Sequence, residues 1–253
     1  MLEKISSIVR EAGEIVLSAT DIAVKTTEKG GAADLVTAYD VAVENFLREK
    51  LTALLPDALF YGEESAKDGD PAKGWAFVVD PIDGTTNFVR GRNQSALSVA
   101  LYKDGTAEYA AVLDPFKNEL FTAQRGKGAF LNGKPIRVSD RPLAQGIFGM
   151  GTAIYNREFE DQTIRVLGQL FKRSCDFRRM GAAALDLCYV AAGRYDAFFE
   201  FSLAPWDFAA ASLIVTEAGG RIRTMQGEKP PIARCGIWAS NEVNDPVLEE
   251  LKF

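Results

Sequence analysis

The chain has 253 residues, 47% of them hydrophobic and 25% charged, a composition typical of a globular protein with one large domain or two joined ones. Its 35 acidic residues outnumber its 29 basic ones, and the net charge of −6 without a basic block disfavours nucleic acid as a partner. The absence of histidine excludes Ser-His and Cys-His catalysis and histidine-ligated zinc.

The longest stretch without a charged residue, residues 142–156, is too short to cross a membrane. The first residues mix charged and apolar side chains, which is not the layout of a secretory leader. The three cysteines form no Cys-x-x-Cys pair, so we expect free thiols rather than a disulfide framework. Together these features predict a cytoplasmic protein that does not bind membranes.

The first predicted elements are two amphipathic helices. Apolar residues recur every three or four positions through residues 2–19 and again through 41–55, where Pro56 ends the pattern. Asp40 lies at the predicted start of the second helix. Residues 25–33, between the helices, show no regular pattern.

Two short strands follow, and each ends in acidic residues. Residues 59–62 run into Glu63 and Glu64, and the apolar run 75–79 stops at Asp80. The sequence therefore predicts carboxylates at two strand ends.

Residues 94–136 alternate between β-like runs and turn signals, which predicts an antiparallel meander. The predicted strands are 96–101, 107–113 and 120–123, followed by a hairpin at Asn132-Gly133.

Beyond Ser139 the pattern changes to alternating strands and helices. The predicted helices are 156–171, 182–192, 206–218 and 246–251, and the predicted strands are 147–152, 176–180, 195–200, 221–224 and 236–240. The change in pattern predicts two sub-domains, 1–140 and 141–253.

The strongest local signal is the segment 80–88, with the sequence Asp-Pro-Ile-Asp-Gly-Thr-Thr-Asn-Phe. A rigid Asp-Pro turn can direct the carboxylates of Asp80 and Asp83 and the carbonyl of Ile82 toward one point. Oxygen ligands of this kind suit a hard divalent cation such as Mg²⁺.

The next residues favour an anion beside that cation. Gly84 permits a tight turn, and the backbone amides of Gly84 and Thr85 can face a phosphate. The alternative interpretation is two consecutive surface turns, Asp-Pro and Asp-Gly, without a site.

Three more acidic residues, at two places in the sequence, bear on whether this segment forms a site or only surface turns. Glu63 and Glu64 are either solvated surface acids or part of the site. Asp207, between Trp206 and the apolar run 208–215, either caps the helix or faces a site at its start.

Three ordered motifs resemble the inositol monophosphatase family of lithium-sensitive, Mg²⁺-dependent phosphatases. They are Asp-Pro-Ile-Asp-Gly-Thr-x-Asn at 80–87, Trp-Asp-x-Ala-Ala…Gly-Gly at 206–220, and Gly-Glu-Glu-Ser at 62–65. Asp40 and the segment 181–183 also fall in family order, so the resemblance covers nearly the whole chain.

The resemblance implies a mixed α/β (α+β) fold, the layered α/β/α/β sandwich of the inositol monophosphatase and fructose-1,6-bisphosphatase type, and a homodimer. It implies hydrolysis of a small phosphorylated polyol or sugar, with inositol monophosphate as the first candidate. Fructose-1,6-bisphosphatase, histidinol-phosphatase and nucleotide 3′-phosphatase activities stay open. The rival outside this class is a non-catalytic protein that binds a metal or a sugar phosphate.

The resemblance also implies two or three Mg²⁺ ions per active site, with Asp80 bridging two of them and Glu64 supporting a third. The implied metal ligands are Glu63, Asp80, the Ile82 carbonyl, Asp83 and Asp207. The implied catalytic residues are Thr85, oriented by Asp40, and Glu63, which together position the attacking water.

The implied substrate contacts are Asp83, Gly84, Thr85, Gly181, Ala183, Glu200 and Arg178. Glu200 is alternatively a strand-edge acid. Arg178 and its neighbour Arg179 could reach a second phosphate, and either is alternatively a solvated charge at a strand end. Many animal members have Gly-Thr-Ala where this chain has Gly181-Ala182-Ala183, so a hydroxyl is lost and the substrate stays open.

Overall fold

The computed structural model of the protein describes residues 1–31, 34–65 and 69–253. The helices are α1 (Leu2–Leu17), α2 (Ala38–Leu54), α3 (Thr85–Val89), α4 (Glu160–Phe171), α5 (Ala183–Ala191), α6 (Pro205–Glu217) and α7 (Val247–Glu250). The strands are β1 (Thr26–Gly31), β2 (Asp34–Thr37), β3 (Leu59–Gly62), β4 (Trp75–Asp83), β5 (Ala96–Lys103), β6 (Thr106–Asp114), β7 (Glu119–Gln124), β8 (Ala129–Leu131), β9 (Lys134–Ile136), β10 (Ile147–Met150), β11 (Asp176–Arg178), β12 (Ala197–Leu203), β13 (Arg221–Thr224) and β14 (Cys235–Ser240).

The larger sheet has seven strands in the order β3-β4-β5-β6-β7-β8-β9. Strands β3 and β4 are parallel, and each later neighbour pairs antiparallel, which confirms the predicted meander. Asn132 and Gly133 turn between β8 and β9 with φ of 48° and 76°, the left-handed geometry of a two-residue hairpin.

The second sheet has five strands in the order β11-β10-β12-β14-β13. Strand β10 runs parallel to β11 and β12, whereas β14 runs antiparallel to β12 and β13. The mixed second half predicted from the sequence is therefore confirmed.

The core shows how the layers stack. Phe77 and Val79 of β4 pack with α1 and α2 on one face of the larger sheet. Val78 between them points to the opposite face, where α5 and α6 separate the two sheets. Helices α4 and α7 cover the outer face of the second sheet, against Phe148 and Trp238. The fold is thus the expected layered α/β sandwich, with an added outer helical layer.

Helix α2 begins earlier than predicted, at Ala38 rather than near Asp40. The Thr37 side chain accepts hydrogen bonds from the amides of Tyr39 and Asp40, and the Asp40 carboxylate accepts one from the Thr37 amide at 2.8 Å. This reciprocal capping box fixes the start and makes Asp40 the third helical residue.

Two features lie outside the sequence prediction. Strands β1 and β2 pair antiparallel where no pattern was expected, although residues 32–33 of that region lie outside the described residues. Helix α3 is the second feature, and its five residues are too few to show a periodicity.

The larger sheet is built from residues before 140 and the second sheet from residues after it. Since α5 and α6 pack against both sheets, the halves share one core, and their division into sub-domains 1–140 and 141–253 stays a prediction. No helix of the described residues is long and apolar enough to cross a lipid bilayer.

Candidate metal and phosphate site

The ends of β3 and β4 and the start of α6 surround a cavity of about 710 Å³. The cavity brings together most residues predicted for the site: Glu63, Asp80, Ile82, Asp83, Gly84, Thr85, Gly181, Ala183, Glu200 and Asp207. Segments far apart in the sequence therefore meet around one space.

Three predicted residues do not line this cavity: Asp40, Glu64 and Arg178. Asp40 lies behind Thr85, whose hydroxyl oxygen is 3.2 Å from the Asp40 carboxylate. Arg178 instead forms an ion pair with Asp176 at 2.6 Å, and its neighbour Arg179 lines the cavity.

A β-bulge explains how Asp80 and Asp83 face the same cavity. Residues three apart on a regular strand point to opposite faces of the sheet. Here Asp80 pairs with Ser98 and Asp83 with Ala96, so β4 has one extra residue relative to β5. The bulge turns both carboxylates to one side, and Pro81, which cannot donate to the ladder, lies within it.

Gly84 closes this turn in a conformation that a side chain would disfavour. Its φ is 83°, and a Cβ atom there would lie 3.0 Å from the Gly181 carbonyl oxygen and 3.1 Å from the Gln94 carbonyl oxygen. The Asn87 amide group also clamps this turn by donating to the carbonyls of Gln94 at 2.8 Å and Met180 at 2.9 Å. The turn is held tightly against the second half of the chain.

Two of the acids also cap helices. The Asp83 carboxylate accepts hydrogen bonds from the amides of Ala183 at 3.2 Å and Ala184 at 2.7 Å, at the start of α5. The Asp207 carboxylate accepts one from the Ala204 amide at 2.7 Å. Capping and cavity-facing positions, which appeared as alternatives for Asp207, therefore coexist.

The acids of the cavity are held in an environment that disfavours their charge. Burial raises the pKa of Asp83 to about 7 and that of Asp207 to about 8, and neighbouring carboxylates add to both shifts. Burial, reinforced by the charge of Glu63, raises the pKa of Asp80 well above its ordinary value. Burial raises that of Glu200 to about 7. A cation would relieve this repulsion.

The donor chemistry fits such a cation. One oxygen of Asp80, Oδ1, is buried and accepts no hydrogen bond from the residues that the structure describes. Among residues 1–31, 34–65 and 69–253, no three acidic, cysteine or histidine side chains converge into a ready-made metal cluster. The acidic part of the cavity offers oxygen donors alone, the set that Mg²⁺ prefers.

Sequence reasoning missed two charged residues of the cavity. Arg234 reaches it from the segment between β13 and β14, and together with Arg179 it lowers the pKa of Glu200 against the effect of burial. Asp186 of α5 is buried with Oδ1 accepting no hydrogen bond among the described residues. Neither belongs to a local motif, because tertiary packing alone brings both to the site.

Comparisons with known proteins agree with this arrangement. The model of the inositol monophosphatase family matches residues 1–252. A Salmonella typhimurium protein named Nus factor SuhB is 42% identical over 235 residues, which cover 92% of this chain and 88% of the relative.

Solved structures are similar over the same extent. The extragenic suppressor protein suhB of Bartonella henselae superposes with a TM-score of 0.89 at 34% identity, covering 96% of this chain and 95% of that one. Inositol monophosphatase from Anabaena superposes with a TM-score of 0.88 at 30% identity, and the match covers 98% of this chain and 93% of that one.

Proposed function

The chain belongs to the inositol monophosphatase family, and we propose that it is a Mg²⁺-dependent phosphomonoesterase acting on inositol monophosphate or a similar small polyol or sugar phosphate. The observation that carries this proposal is the bulge that turns Asp80 and Asp83 into one cavity with Asp207, where burial raises all three pKa values. Such crowded acids are unfavourable unless a cation binds them.

We assign two or three Mg²⁺ ions to the site, held by Glu63, Asp80, the Ile82 carbonyl, Asp83 and Asp207. When bound, Mg²⁺ supplies positive charge that polarises the phosphoryl group and activates water. The Gly84 and Thr85 amides complete the phosphate end.

Thr85 positions the water in this proposal. Its hydroxyl lies 3.2 Å from Asp40 and 3.1 Å from the Ile82 carbonyl oxygen, so its single proton is directed toward these acceptors. The remaining lone pairs accept a hydrogen bond from the attacking water, which orients it. Asp40, fixed by Thr37, keeps the hydroxyl in that orientation. Glu63, the first residue after β3, would face the water from the other side of the cavity.

The alcohol part of the substrate occupies the wall formed by Gly181, Ala183 and Glu200. One oxygen of Glu200, Oε1, accepts a hydrogen bond from the Ala153 amide at 2.8 Å. The Thr152 backbone also interacts with this carboxylate, and the remaining lone pairs of the carboxylate would accept a hydrogen bond from a substrate hydroxyl. Arg178, engaged by Asp176, is the weakest of the predicted contacts.

The test is phosphate release from inositol 1-phosphate with Mg²⁺ and with a chelator. We expect turnover that depends on Mg²⁺. A parallel panel of fructose 1,6-bisphosphate, histidinol phosphate and a nucleoside 3′-phosphate identifies the substrate class. Binding of these esters without phosphate release would contradict the proposal and favour the non-catalytic rival.

Three finer properties belong to the same proposal: inhibition by Li⁺, a homodimer and a cytoplasmic location. Turnover in rising Li⁺ concentration tests the first. Light scattering on the purified chain tests the second, and cell fractionation the third.

The relatives favour a second candidate function. At 42% identity, a relative carries the name Nus factor, which assigns that protein a role in transcription. Since this chain has a net charge of −6, we propose that any such role uses protein contacts rather than direct contact with nucleic acid. Co-sedimentation with purified RNA polymerase, with and without nucleic acid, distinguishes the two.

A further inference from the structure

We propose that Glu44 is a positioning residue that fixes the Glu63–Glu64 turn and thereby sets the affinity of the site for a divalent cation. This inference rests on the proposed function, because it concerns the same acids. Glu44 lies outside the cavity and belongs to none of the motifs found in the sequence.

Helix α2 directs two acids from one face toward the site. Asp40 and Glu44 are four residues apart, so their side chains lie one turn above the other, and their exposed fractions are 0% and 2%. Asp40 reaches Thr85, just beyond the end of β4. Glu44 reaches the segment after β3, where its Oε2 accepts a hydrogen bond from the Glu64 amide at 2.8 Å.

The neighbours of Glu44 hold its carboxylate in this position. Its Oε1 lies 3.3 Å from the Arg48 guanidinium, which itself lies 4.4 Å above the centre of the Phe60 ring. Gly62 permits the approach, because a Cβ atom there would collide with the Glu44 carboxylate. The contacts of both oxygens direct the carboxylate at the turn.

This arrangement explains why a carboxylate, rather than an apolar side chain, occupies the position. The neighbouring buried residues of α2, Val43 and Leu47, pack into the core. An apolar residue at position 44 would leave the Glu64 amide without this acceptor.

Two successive amides then fix the direction of Glu63. The Glu63 amide donates to the Val79 carbonyl at 3.2 Å, and the Glu64 amide donates to Glu44. Removing the Glu44 carboxylate takes this acceptor from the Glu64 amide, whereas the Glu63 amide still holds the turn beside β4. The Glu63 carboxylate then samples more directions, and the cation loses a pre-oriented ligand.

The experiment is a calorimetric titration with Mg²⁺ alone on wild type, Glu44→Ala and Glu44→Gln. We expect Glu44→Ala to weaken Mg²⁺ binding by ~10-fold to 100-fold, the range for residues that orient metal ligands. Glu44→Gln keeps a carbonyl that can accept from the Glu64 amide, so it should recover much of the affinity. Glu49→Ala is the matched control, since Glu49 lies on the same helix with 74% of its side chain exposed.

Thermal unfolding of the metal-free variants separates positioning from stability. If Glu44 were merely structural, Glu44→Ala would lower the metal-free Tm while the folded protein bound Mg²⁺ like wild type, and that result would overturn the inference. If Glu44→Ala does not fold, Glu44→Leu replaces it, because leucine fills the same space without an acceptor for the Glu64 amide. Wild-type Mg²⁺ affinity in folded Glu44→Leu would overturn the inference. A wild type that binds no Mg²⁺ would overturn the proposed function itself, a visibly different outcome.

Discussion

The acidic end and the basic rim of the cavity are built in different ways. Asp80 and Asp83 lie at the buried end of β4, and backbone amides of α5 hold Asp83. Arg179 and Arg234 extend from exposed segments after β11 and before β14. The acids are therefore fixed by the layers of the fold, whereas the arginines can change without disturbing the core. We infer that the reaction depends on the first region and the choice of substrate on the second.

The largest expected effect is that of Asp80→Asn, which removes a charge from the acidic end while keeping the shape of the side chain. We expect kcat to fall by ~10³-fold, since a metal supplies several kcal/mol of transition-state stabilisation. The metal-free Tm should rise, because a repelling charge is lost. Steady-state kinetics and thermal unfolding measure both, with Asp57→Asn as the exposed control. Turnover within tenfold of wild type would contradict the role of this end.

Thr85→Val should have the next largest effect. It removes the hydroxyl between Asp40 and the Ile82 carbonyl but keeps the branched shape, and we expect kcat to fall by ~10²-fold, the scale of misplacing a reacting group. KM should change little, and Thr85→Ser should restore most of kcat. Equal losses in the serine and valine variants would point to packing rather than to the hydroxyl.

The basic rim should affect selectivity instead. We expect Arg179→Met and Arg234→Met to lower kcat/KM by about tenfold for esters with a second anionic group, such as fructose 1,6-bisphosphate, since each removes a charge-assisted contact. Turnover of inositol 1-phosphate should stay near that of wild type. A uniform loss on both substrates would erase the distinction between the two regions.

The smallest expected effect is a pH dependence of stability. The folded pKa values of Asp83, about 7, and Asp207, about 8, lie above the value near 4 of an unfolded aspartate. Between pH ~4 and ~8 the folded state thus binds more protons, so the metal-free protein should gain stability as pH falls. Each kcal/mol gained raises Tm by ~2–4 °C. Tm measured at pH 8 and at pH 5.5 checks this. A lower Tm at pH 5.5 than at pH 8 would contradict the assigned pKa shifts.

The sequence predicted the elements of the acidic end well, because each acid there follows an apolar strand or precedes an apolar helix. It did not predict the bulge at Pro81-Ile82, since the two-residue periodicity of a strand places Asp80 and Asp83 on opposite faces. The start of α2 was also misplaced, because the capping box between Thr37 and Asp40 was overlooked.

The basic rim was largely beyond sequence reasoning. Arg178 and Arg179 are indistinguishable as neighbours in the sequence, and only the ion pair with Asp176 separates their positions. Arg234 enters the cavity from a segment far along the chain, which no local pattern connects to the 80–88 motif. Residues that only tertiary packing brings to the cavity leave no local sequence pattern that would predict their position there.

The most direct test of the central claim, that the crowded acids bind the cation, is Mg²⁺ calorimetry at pH 7 in buffers of different ionisation enthalpy. Binding must deprotonate carboxylates whose pKa values burial has raised to about 7 and about 8 in Asp83 and Asp207. We therefore predict that Mg²⁺ binding releases protons from wild type and releases fewer from Asp83→Asn. Mg²⁺ binding without proton release, or no binding at all, would contradict the claim.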